Sequence, residues 1–290
     1  MPPASALSGS GLTPAEADAA RQVIAAALAE DVGTGDLTSQ TVIPAVVRFR
    51  GVMVARESMV VAGLPVASEV FRTVVPQALF TALAAEGGRV VAGTVLAELE
   101  GPAQGLLTAE RTALNLLQHL SGIATTTRAY ADRIAGTGAV LLDTRKTLPG
   151  LRLLAKYATR MGGARNHRLG LYDGVLIKDN HIAVCGGVAA AVHRARACAL
   201  PVEVECDTLD QVRAAVRAGA EGVLLDNMSP ALLRQAVALV AGRAKTEASG
   251  GVTLETIRIL AETGVDFISV GRITHSAPAV DIGLDWKQEE

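Results

Sequence analysis

The sequence has few cysteines, almost no net charge and no long uncharged apolar run. The cysteines Cys185, Cys198 and Cys206 show neither CxxC spacing nor histidines at ligand spacing, which argues against a disulfide framework and a zinc site. A formal net charge of −2 argues against a nucleic-acid surface, which usually makes a whole domain basic. No apolar run approaches the length of a membrane span, so we expect no membrane partner. A reducing, cytoplasmic setting fits these features best.

The first residues also lack two elements of a secretory signal. The stretch MPPASALSGSG has neither a basic start nor an apolar centre, so we expect residues 1–12 to form a disordered tail. The whole chain is rich in apolar residues, which make up 50% of its 290 residues. That length and composition predict one large folded domain or two ordinary ones.

The N-terminal half reads as a small α+β domain. Thr13 as N-cap, Pro14 at the first helical position and Glu16 three residues after the cap predict a helix to Glu30, followed by a loop at Asp31–Ser39. Short strand-like runs and one helical stretch follow between glycines and prolines. The strands are expected at Phe49–Ala55, Ala78–Leu83 and Thr94–Glu100, and the helix at Pro65–Val74.

A second helix is predicted over Thr108–His119. Arg111, Asn115 and Gln118 share one face of it, opposite apolar residues. An arginine on a surface helix is the simpler interpretation, but an uncharged polar face with one arginine is unusual for a surface that only meets solvent.

Beyond residue 138, apolar β-branched runs alternate with helical stretches. This alternation is typical of βα units and a buried parallel sheet, and six units in a row favour a closed or nearly closed barrel. A doubly wound open sheet stays possible, although no GxGxxG follows the first strand. The predicted strands are Ala139–Asp143, Gly174–Lys178, Val202–Glu205, Gly222–Asp226, Lys245–Ser249 and Phe267–Gly271.

Every predicted strand ends in a residue suited to chemistry, and barrel enzymes place their chemistry at those ends. Alternation in V-E-V-E turns Glu203 and Glu205 to the inside of a barrel, where buried carboxylates need cations or a metal. Glycines after the last strands suit a phosphate-binding loop. The candidates in chain order are Arg145 and Lys146, Lys178, Glu205, Asp226, Ser249 with Gly250 and Gly251, and Gly271.

Positive charge is concentrated in one segment. Residues 143–181 contain eight Lys and Arg against three Asp, which predicts a pocket for small, multiply anionic molecules. His167 and Arg168 lie in a long polar loop of this segment, where a functional role is the better interpretation. Lys178 is either an ion-pair partner of Glu205 or a ligand-binding or Schiff-base lysine.

The same segment also contains cations with a simpler interpretation. Arg152, Lys156 and Arg160 recur at helical spacing opposite Leu151, Leu154 and Ala158. This spacing predicts a helix with one solvated, cationic face.

Several motifs together resemble the quinolinate phosphoribosyltransferase family, also called nicotinate-nucleotide pyrophosphorylase (carboxylating). The resemblance covers nearly the whole chain from Glu30. It rests on EDVGTGDLTS, LLTAERTALNLLQHLSGIAT, DTRKTLPGLR, NHRLGLYDGVLIKDNH, EVEC, LLDN, EASGG and VGRITHS. Two departures are Thr246 before EASGG, where an aliphatic residue is usual, and Arg272, where a small or apolar residue is usual.

The resemblance implies a fold, a reaction and an assembly. An open α/β sandwich domain at residues 13–120, to which residues 277–290 return, is expected before a barrel domain at 121–276. The implied enzyme, a pentosyltransferase, joins quinolinate to phosphoribosyl pyrophosphate with Mg²⁺. The products are nicotinate mononucleotide, pyrophosphate and CO₂, in de novo NAD synthesis. A homodimer, or a hexamer, is implied, in which the neighbour's Arg111 helix reaches the active site.

The resemblance and the chemistry of the substrates together assign residues. The quinolinate carboxylates are expected to meet guanidinium, imidazole and ammonium groups. Glu205 and Asp226 are expected to hold Mg²⁺, directly or indirectly, or the ribose hydroxyls, and with Lys146 they form the expected catalytic set. The expected quinolinate residues are Arg111, Arg145, His167, Arg168 and Lys178. The expected phosphoribosyl pyrophosphate residues are Lys146, Glu205, Asp226, Ser249, Gly250 and Gly271.

Two rival functions stay open at the level of sequence. One is a related phosphoribosyltransferase-like barrel that acts on nicotinate or another aromatic acid. The other is a Schiff-base aldolase that uses Lys178. The usual phosphoribosyl-pyrophosphate loop, an apolar strand with two adjacent acids and a Thr-rich turn, is absent, so the larger transferase fold that carries it is not expected.

Overall fold

A computed structural model describes Leu7 and residues 11–287 of the chain. The chain divides into two compact units. The first runs up to Thr127, takes in Thr147–Gly163 and resumes from Ser276; the second comprises Arg128–Lys146 and Ala164–His275. The predicted tail at residues 1–12 lies mostly outside the described residues. The predicted domain boundaries at 120/121 and 276/277 stay predictions.

The first helix confirms its predicted cap. Helix α1 (Pro14–Val32) has Thr13 as N-cap: the Thr13 N–H donates to Glu16 Oε2 at 2.9 Å, and the Glu16 N–H donates to Thr13 Oγ1 at 3.3 Å. The loop predicted after it is shorter than expected, because helix α2 (Leu37–Val42) begins inside it. Asp36 is the N-cap of α2 and accepts a hydrogen bond from the Ser39 N–H at 2.9 Å.

The rest of the first unit contains an antiparallel sheet with helices. The three predicted strands and the helix between the first two are confirmed as β1, β3, β5 and α3. Strand β12 pairs with β1, so a segment near the end of the chain completes a sheet of order β12-β1-β5-β3. Strands β2 and β4 pair separately. The bounds are β1 Arg48–Ala55, β2 Met59–Val60, α3 Leu64–Val74, β3 Leu79–Ala82, β4 Arg89–Val90, β5 Val95–Pro102 and β12 Ile282–Trp286.

Helix α4 (Ala103–Arg133) contains the predicted Thr108–His119 helix and is much longer. Leu114 and Leu117 are buried as expected, at 2% and 0% exposure. Arg111 and Asn115 are exposed on the polar face.

The expectation of a solvated cationic face on helix α5 (Arg152–Met161) is wrong. Lys156 is fully buried, Arg160 is half-buried, and Arg152 is only partly exposed. Arg160 donates to both oxygens of Glu16 on α1, at 2.6 and 2.9 Å. The helix is packed on its cationic side as well as its apolar side, and helical spacing alone cannot reveal a partner that lies 144 residues away.

The second unit confirms the predicted α/β barrel architecture. Six parallel strands form one sheet of order β6-β11-β10-β9-β8-β7, so the first strand of the unit neighbours the last. Within the described residues no strand pairing joins β6 to β7, and the Leu142–Arg165 bridge extends the edge at β6. The strands are β6 Val140–Leu142, β7 Val175–Ile177, β8 Val202–Cys206, β9 Gly222–Asp226, β10 Lys245–Ser249 and β11 Phe267–Ser269.

Helices follow the barrel strands, as a parallel sheet requires. The bounds are α6 Asp179–Cys185, α7 Val188–Ala195, α8 Leu209–Ala218, α9 Pro230–Val240, α10 Ile257–Ala261 and α11 Arg272–His275, with a 3₁₀ turn at Arg196–Cys198. Among the described residues, no helix is both long enough and apolar enough to cross a membrane.

Alternation along β8 separates the hydrophobic core from the barrel interior. Val202, Val204 and Cys206 are buried in the core cluster of this unit. Glu203 and Glu205 point to the other face and stay partly exposed, as V-E-V-E predicts. The strands therefore carry their polar side chains toward the inside of the barrel.

Candidate active site

A cavity of about 320 Å³ lies at the carboxyl ends of the barrel strands. A second cavity of about 330 Å³ shares the lining residues Thr144, Lys146, Ser249 and Ser269 with it, so the two adjoin. The first cavity is lined by Thr144, Arg145, Lys146, His167, Arg168, Leu176, Lys178, Glu205, Leu224, Asp226, Glu247, Ser249 and Ser269. Most of the predicted site residues thus meet in one place.

A larger cavity, of about 590 Å³, lies in the first unit beside α3 and β3. Its charged residues are Arg72 and Glu86, and Glu86 is already engaged. The Glu86 carboxylate accepts the N–H groups of Gly63 and Leu64 at 2.8 Å each, and it also accepts the Tyr157 hydroxyl. These contacts cap the start of α3, so this cavity offers less chemistry than the barrel cavity.

One wall of the barrel cavity is cationic. Arg168 Nη1 donates to the Gly174 carbonyl at 3.1 Å, which holds the guanidinium against the loop before β7. Burial, followed by the charge of Arg145, lowers the pKa of Arg168. Arg145 lines the same cavity, so both guanidinium groups face the space in which an anion would bind.

Carboxylates also line the barrel cavity. Glu205 forms an ion pair with the Lys178 ammonium, one of the two roles predicted for that lysine. Asp226, on the neighbouring strand, accepts a hydrogen bond from Asn227 Nδ2 at 2.6 Å. Both carboxylates line the cavity, and hard oxygen ligands of this kind suit Mg²⁺.

A deeper cluster combines His167 with two acids that sequence reasoning did not place in the site. His167 Nε2 lies 3.2 Å from Glu203 Oε2 and 3.4 Å from Glu247 Oε2. Burial lowers the pKa of His167, but hydrogen bonds to Glu203 and Glu247 outweigh it, and the net pKa is raised. Burial also raises the pKa of Glu203. The V-E-V-E alternation indicated that Glu203 points inward, whereas nothing near Glu247 signalled that it meets a histidine.

Three ligand atoms of this cluster lie within 4.8 Å of one another, which is close enough for a metal ion. The second ring nitrogen argues against that use, because the N–H of Arg168 donates to His167 Nδ1 at 2.8 Å. A lone pair on Nδ1 leaves the ring hydrogen on Nε2, and a protonated nitrogen cannot bind a metal. The cluster fits hydrogen bonding better than metal binding.

The second cavity is lined by the predicted phosphate loop. Gly250 and Gly251 have φ of +92° and +59°, a region in which side chains are strained. A Cβ on Gly271 would come within 3.0 Å of Lys146 Cδ, so that glycine allows the lysine close approach. Arg272 also lines this cavity.

Arg111 is the one predicted site residue that lines neither of these two cavities. It lines a different cavity, of about 380 Å³ in the first unit, with Asp31, Asp36 and Thr108. Its predicted role in a neighbouring molecule stays a prediction.

Comparison with known proteins confirms the resemblance seen in the motifs. The model of the family "Quinolinate phosphoribosyl transferase, C-terminal domain" matches residues 123–285. The model of the corresponding N-terminal domain matches residues 36–121. The two models together cover most of the chain.

Individual relatives agree along nearly their whole length. A Mycobacterium leprae protein named nicotinate-nucleotide pyrophosphorylase [carboxylating] is 48% identical over 284 residues, covering 94% of this chain and 99% of its own. A Bacillus subtilis protein named as a probable enzyme of the same kind is 44% identical, covering 88% of this chain and 89% of its own. The solved nicotinate-nucleotide pyrophosphorylase of Francisella tularensis superposes with a TM-score of 0.90 at 41% identity, covering 93% of this chain and 96% of that one. The chain belongs to the quinolinate phosphoribosyl transferase family.

Proposed function

We propose that this chain transfers the phosphoribosyl group of phosphoribosyl pyrophosphate to quinolinate, with decarboxylation, in de novo NAD synthesis. The products are nicotinate mononucleotide, pyrophosphate and CO₂. The observation that carries the proposal is the pair of adjoining cavities at the strand ends, one lined by both cations and carboxylates and the other by a glycine loop. A dianionic acid and a polyphosphate sugar need these two kinds of subsite.

The cationic wall suits the two carboxylates of quinolinate. Arg145 and Arg168 supply forked donors, which match carboxylates in two-pronged geometry, and Lys178 supplies an ammonium. His167 belongs to this subsite. Placing both carboxylates fixes the ring nitrogen, which must face the sugar carbon that it attacks.

The second cavity suits the 5′-phosphate of the other substrate. Ser249, Gly250 and Gly271 would take the phosphate through a hydroxyl and close backbone approach. Lys146 borders both cavities and would meet the pyrophosphate that departs between them. The anomeric carbon would then lie between the two subsites, beside Glu205 and Asp226.

The transfer itself needs no protein nucleophile. The ring nitrogen forms a bond to the anomeric carbon while the bond to pyrophosphate breaks, through a state with positive charge on the sugar. The carboxylates of Glu205 and Asp226 stabilise that charge, and Lys146 stabilises the leaving group. The ring is now cationic, so the carboxylate next to its nitrogen can leave as CO₂; the bonding electrons remain on the ring carbon, which then takes up a proton.

Mg²⁺ is proposed as the cofactor. Glu205 and Asp226 would hold it, with water and substrate oxygens completing its shell, because Mg²⁺ often binds through one or two carboxylates. When bound, it would neutralise charge on the pyrophosphate.

A homodimer is also proposed, in which Arg111 completes the neighbour's quinolinate subsite. The exposure of Arg111 and Asn115 on the polar face of α4 supports this, because both side chains are accessible to a neighbouring molecule. A cytoplasmic location is supported by the three free cysteines, which are typical of a reducing compartment.

A substrate comparison tests the proposal against its nearest rival. The purified chain is given phosphoribosyl pyrophosphate, Mg²⁺ and either quinolinate or nicotinate, and pyrophosphate release is followed. We expect release with quinolinate to exceed release with nicotinate, because the cationic groups that would bind the second carboxylate stay unpaired with the monoacid. Preference for nicotinate would overturn the proposal.

A second test addresses the aldolase alternative. A Schiff-base lysine needs an uncharged amine, whereas the Lys178 ammonium is paired with Glu205. Borohydride reduction in the presence of phosphorylated keto sugars is expected to leave Lys178 unmodified in the mass spectrum. A covalent adduct on that residue would support the aldolase.

A further inference from the structure

The loop before β7 is held by a chain of hydrogen bonds that runs through the imidazole of His167. Asp143, fully buried at the end of β6, accepts the His167 N–H at 2.9 Å and Asn166 Nδ2 at 2.6 Å. The His167 ring then contacts Glu203 on one side and the Arg168 N–H on the other. The backbone that carries Arg168 is therefore fixed both by Asp143 and by the ring.

The tautomer of the ring follows from these contacts. The contacts with Glu203 and Glu247 raise the pKa of His167 and so favour a second ring proton, but that proton would have to go on Nδ1. That atom faces the Arg168 N–H at 2.8 Å, a fixed backbone donor that needs a lone pair there. We therefore assign the Nε2–H tautomer, with its hydrogen between Glu203 and Glu247. Both ring nitrogens of His167 have protein partners.

The placement of Glu203 and Glu247 beside the ring leaves one buried carboxylate oxygen without a hydrogen bond. Glu247 is only 2% exposed, and its Oε1 has no hydrogen-bond partner, while Oε2 faces the ring. Glu203 reaches the ring from β8, and Gly222 on the adjacent strand leaves it room, because a Cβ there would lie 3.2 Å from Glu203 Cγ. A buried carboxylate oxygen without a partner destabilises the fold, and this calls for a role.

From this geometry we infer that Glu203 and Glu247 are positioning residues for the quinolinate subsite. They hold the Nε2–H of His167, whose Nδ1 in turn fixes the backbone of Arg168 and so aims its guanidinium into the cavity. The inference rests on the proposed function for its ligand. His167 contributes to quinolinate binding through Arg168 rather than through a ring N–H of its own.

A purely electrostatic role of Glu203 and Glu247 predicts the opposite change in quinolinate affinity from a positioning role. Two buried carboxylates beside a dianionic ligand repel it, so loss of one would tighten quinolinate binding if charge were its only contribution. Loss of a positioning group weakens binding instead. The sign of the change therefore separates the two roles.

The first experiment is a double-mutant cycle in which the quinolinate Kd is measured by calorimetric titration. Glu247→Leu, which removes the acceptor, is expected to raise the Kd at least tenfold, whereas Glu247→Gln, which keeps one acceptor oxygen, stays within threefold of the wild type. Added to Arg168→Ala, the leucine variant is expected to change the Kd by less than threefold, because it acts through Arg168. Glu262→Leu, at an exposed glutamate on the same unit, is the matched control and is expected to change nothing.

Two results would overturn the inference. One is a quinolinate affinity of Glu247→Leu that equals or exceeds that of the wild type. The other is a Kd of the double mutant that rises by the full product of the two single-mutant increases. Thermal unfolding checks each variant. If Glu247→Leu does not fold, the same cycle with Glu203→Leu and Glu203→Gln decides, since Glu203 is more exposed, at 21% against 3% for the side chain of Glu247.

A second experiment does not depend on the substrate. In protein labelled with ¹⁵N-histidine, the His167 signals are identified by their loss in His167→Gln. Nδ1 is expected to be unprotonated and Nε2 protonated at neutral pH. Protons on both nitrogens would contradict the positioning chain even if quinolinate turns over. If the wild-type protein binds no quinolinate but shows this tautomer, the proposed function is contradicted, whereas the hydrogen-bond chain through His167 is supported.

Discussion

Replacement of Arg168 by alanine tests the quinolinate subsite most directly. Its guanidinium lines the barrel cavity, and one nitrogen is already held by the Gly174 carbonyl, so its remaining donors are available to a ligand. A hydrogen bond to a charged group contributes about 1.5 to 3 kcal/mol. At about 1.4 kcal/mol per tenfold, the quinolinate Kd should rise by about 10- to 150-fold.

The assay is calorimetric titration of folded protein with quinolinate. Arg168→Lys, which keeps the charge and loses the fork, is expected to lie between alanine and wild type. Arg217→Ala, at an exposed arginine on α8 that lines neither barrel cavity, is the matched control. Unchanged quinolinate affinity in Arg168→Ala would refute the assignment of the cationic wall to the dicarboxylate.

Three further outcomes are expected. Burial raises the pKa of Glu16, but the hydrogen bonds and charge of Arg160 together with the hydrogen bonds of Thr13 outweigh burial, so the net pKa is lowered. The stabilising effect of Glu16 is therefore full above the unfolded value of 4.5 and is lost as pH falls through the lower folded value. Glu16→Gln should therefore cost about 1 to 3 kcal/mol in urea unfolding at pH 7 and less at pH 3; equal costs would contradict this. Gly250→Ala places a Cβ 2.2 Å from Asn227 Oδ1 and should raise the KM for phosphoribosyl pyrophosphate about tenfold. Gly251→Ala should raise it less, because a Cβ there meets nothing within 4 Å. Equal KM values for the two variants would argue against a phosphate loop at this position. Chelation with EDTA should abolish turnover and added Mg²⁺ restore it, whereas full turnover in EDTA would exclude the proposed metal.

Local patterns were enough to predict the barrel. The strands Gly222–Asp226 and Lys245–Ser249 begin and end where their apolar runs and flanking residues indicate. The cap at Thr13 was equally readable, because a capping box lies within four residues. Strands β2 and β4, with two residues each, were missed, since a run so short has no periodicity to detect.

The features that sequence could not reveal depend on distant partners. Lys156 and Arg160 follow the spacing of a solvated face, yet both are packed, and the Arg160 partner is on α1. Glu247 begins the motif EASGG, but its contact with His167 joins strand β10 to a loop about 80 residues earlier in the chain. Arg145, Lys178 and Asp226 were predictable because parallel strand ends meet at one edge by construction.

The central claim is a transfer coupled to decarboxylation, and both products can be counted in one reaction. The protein is incubated with phosphoribosyl pyrophosphate, Mg²⁺ and quinolinate labelled in the carboxylate next to the ring nitrogen. Released CO₂ is measured by label, and nicotinate mononucleotide by mass spectrometry. We predict equal amounts of both, dependent on Mg²⁺. Nucleotide product without CO₂, or no product from folded protein, would contradict the claim.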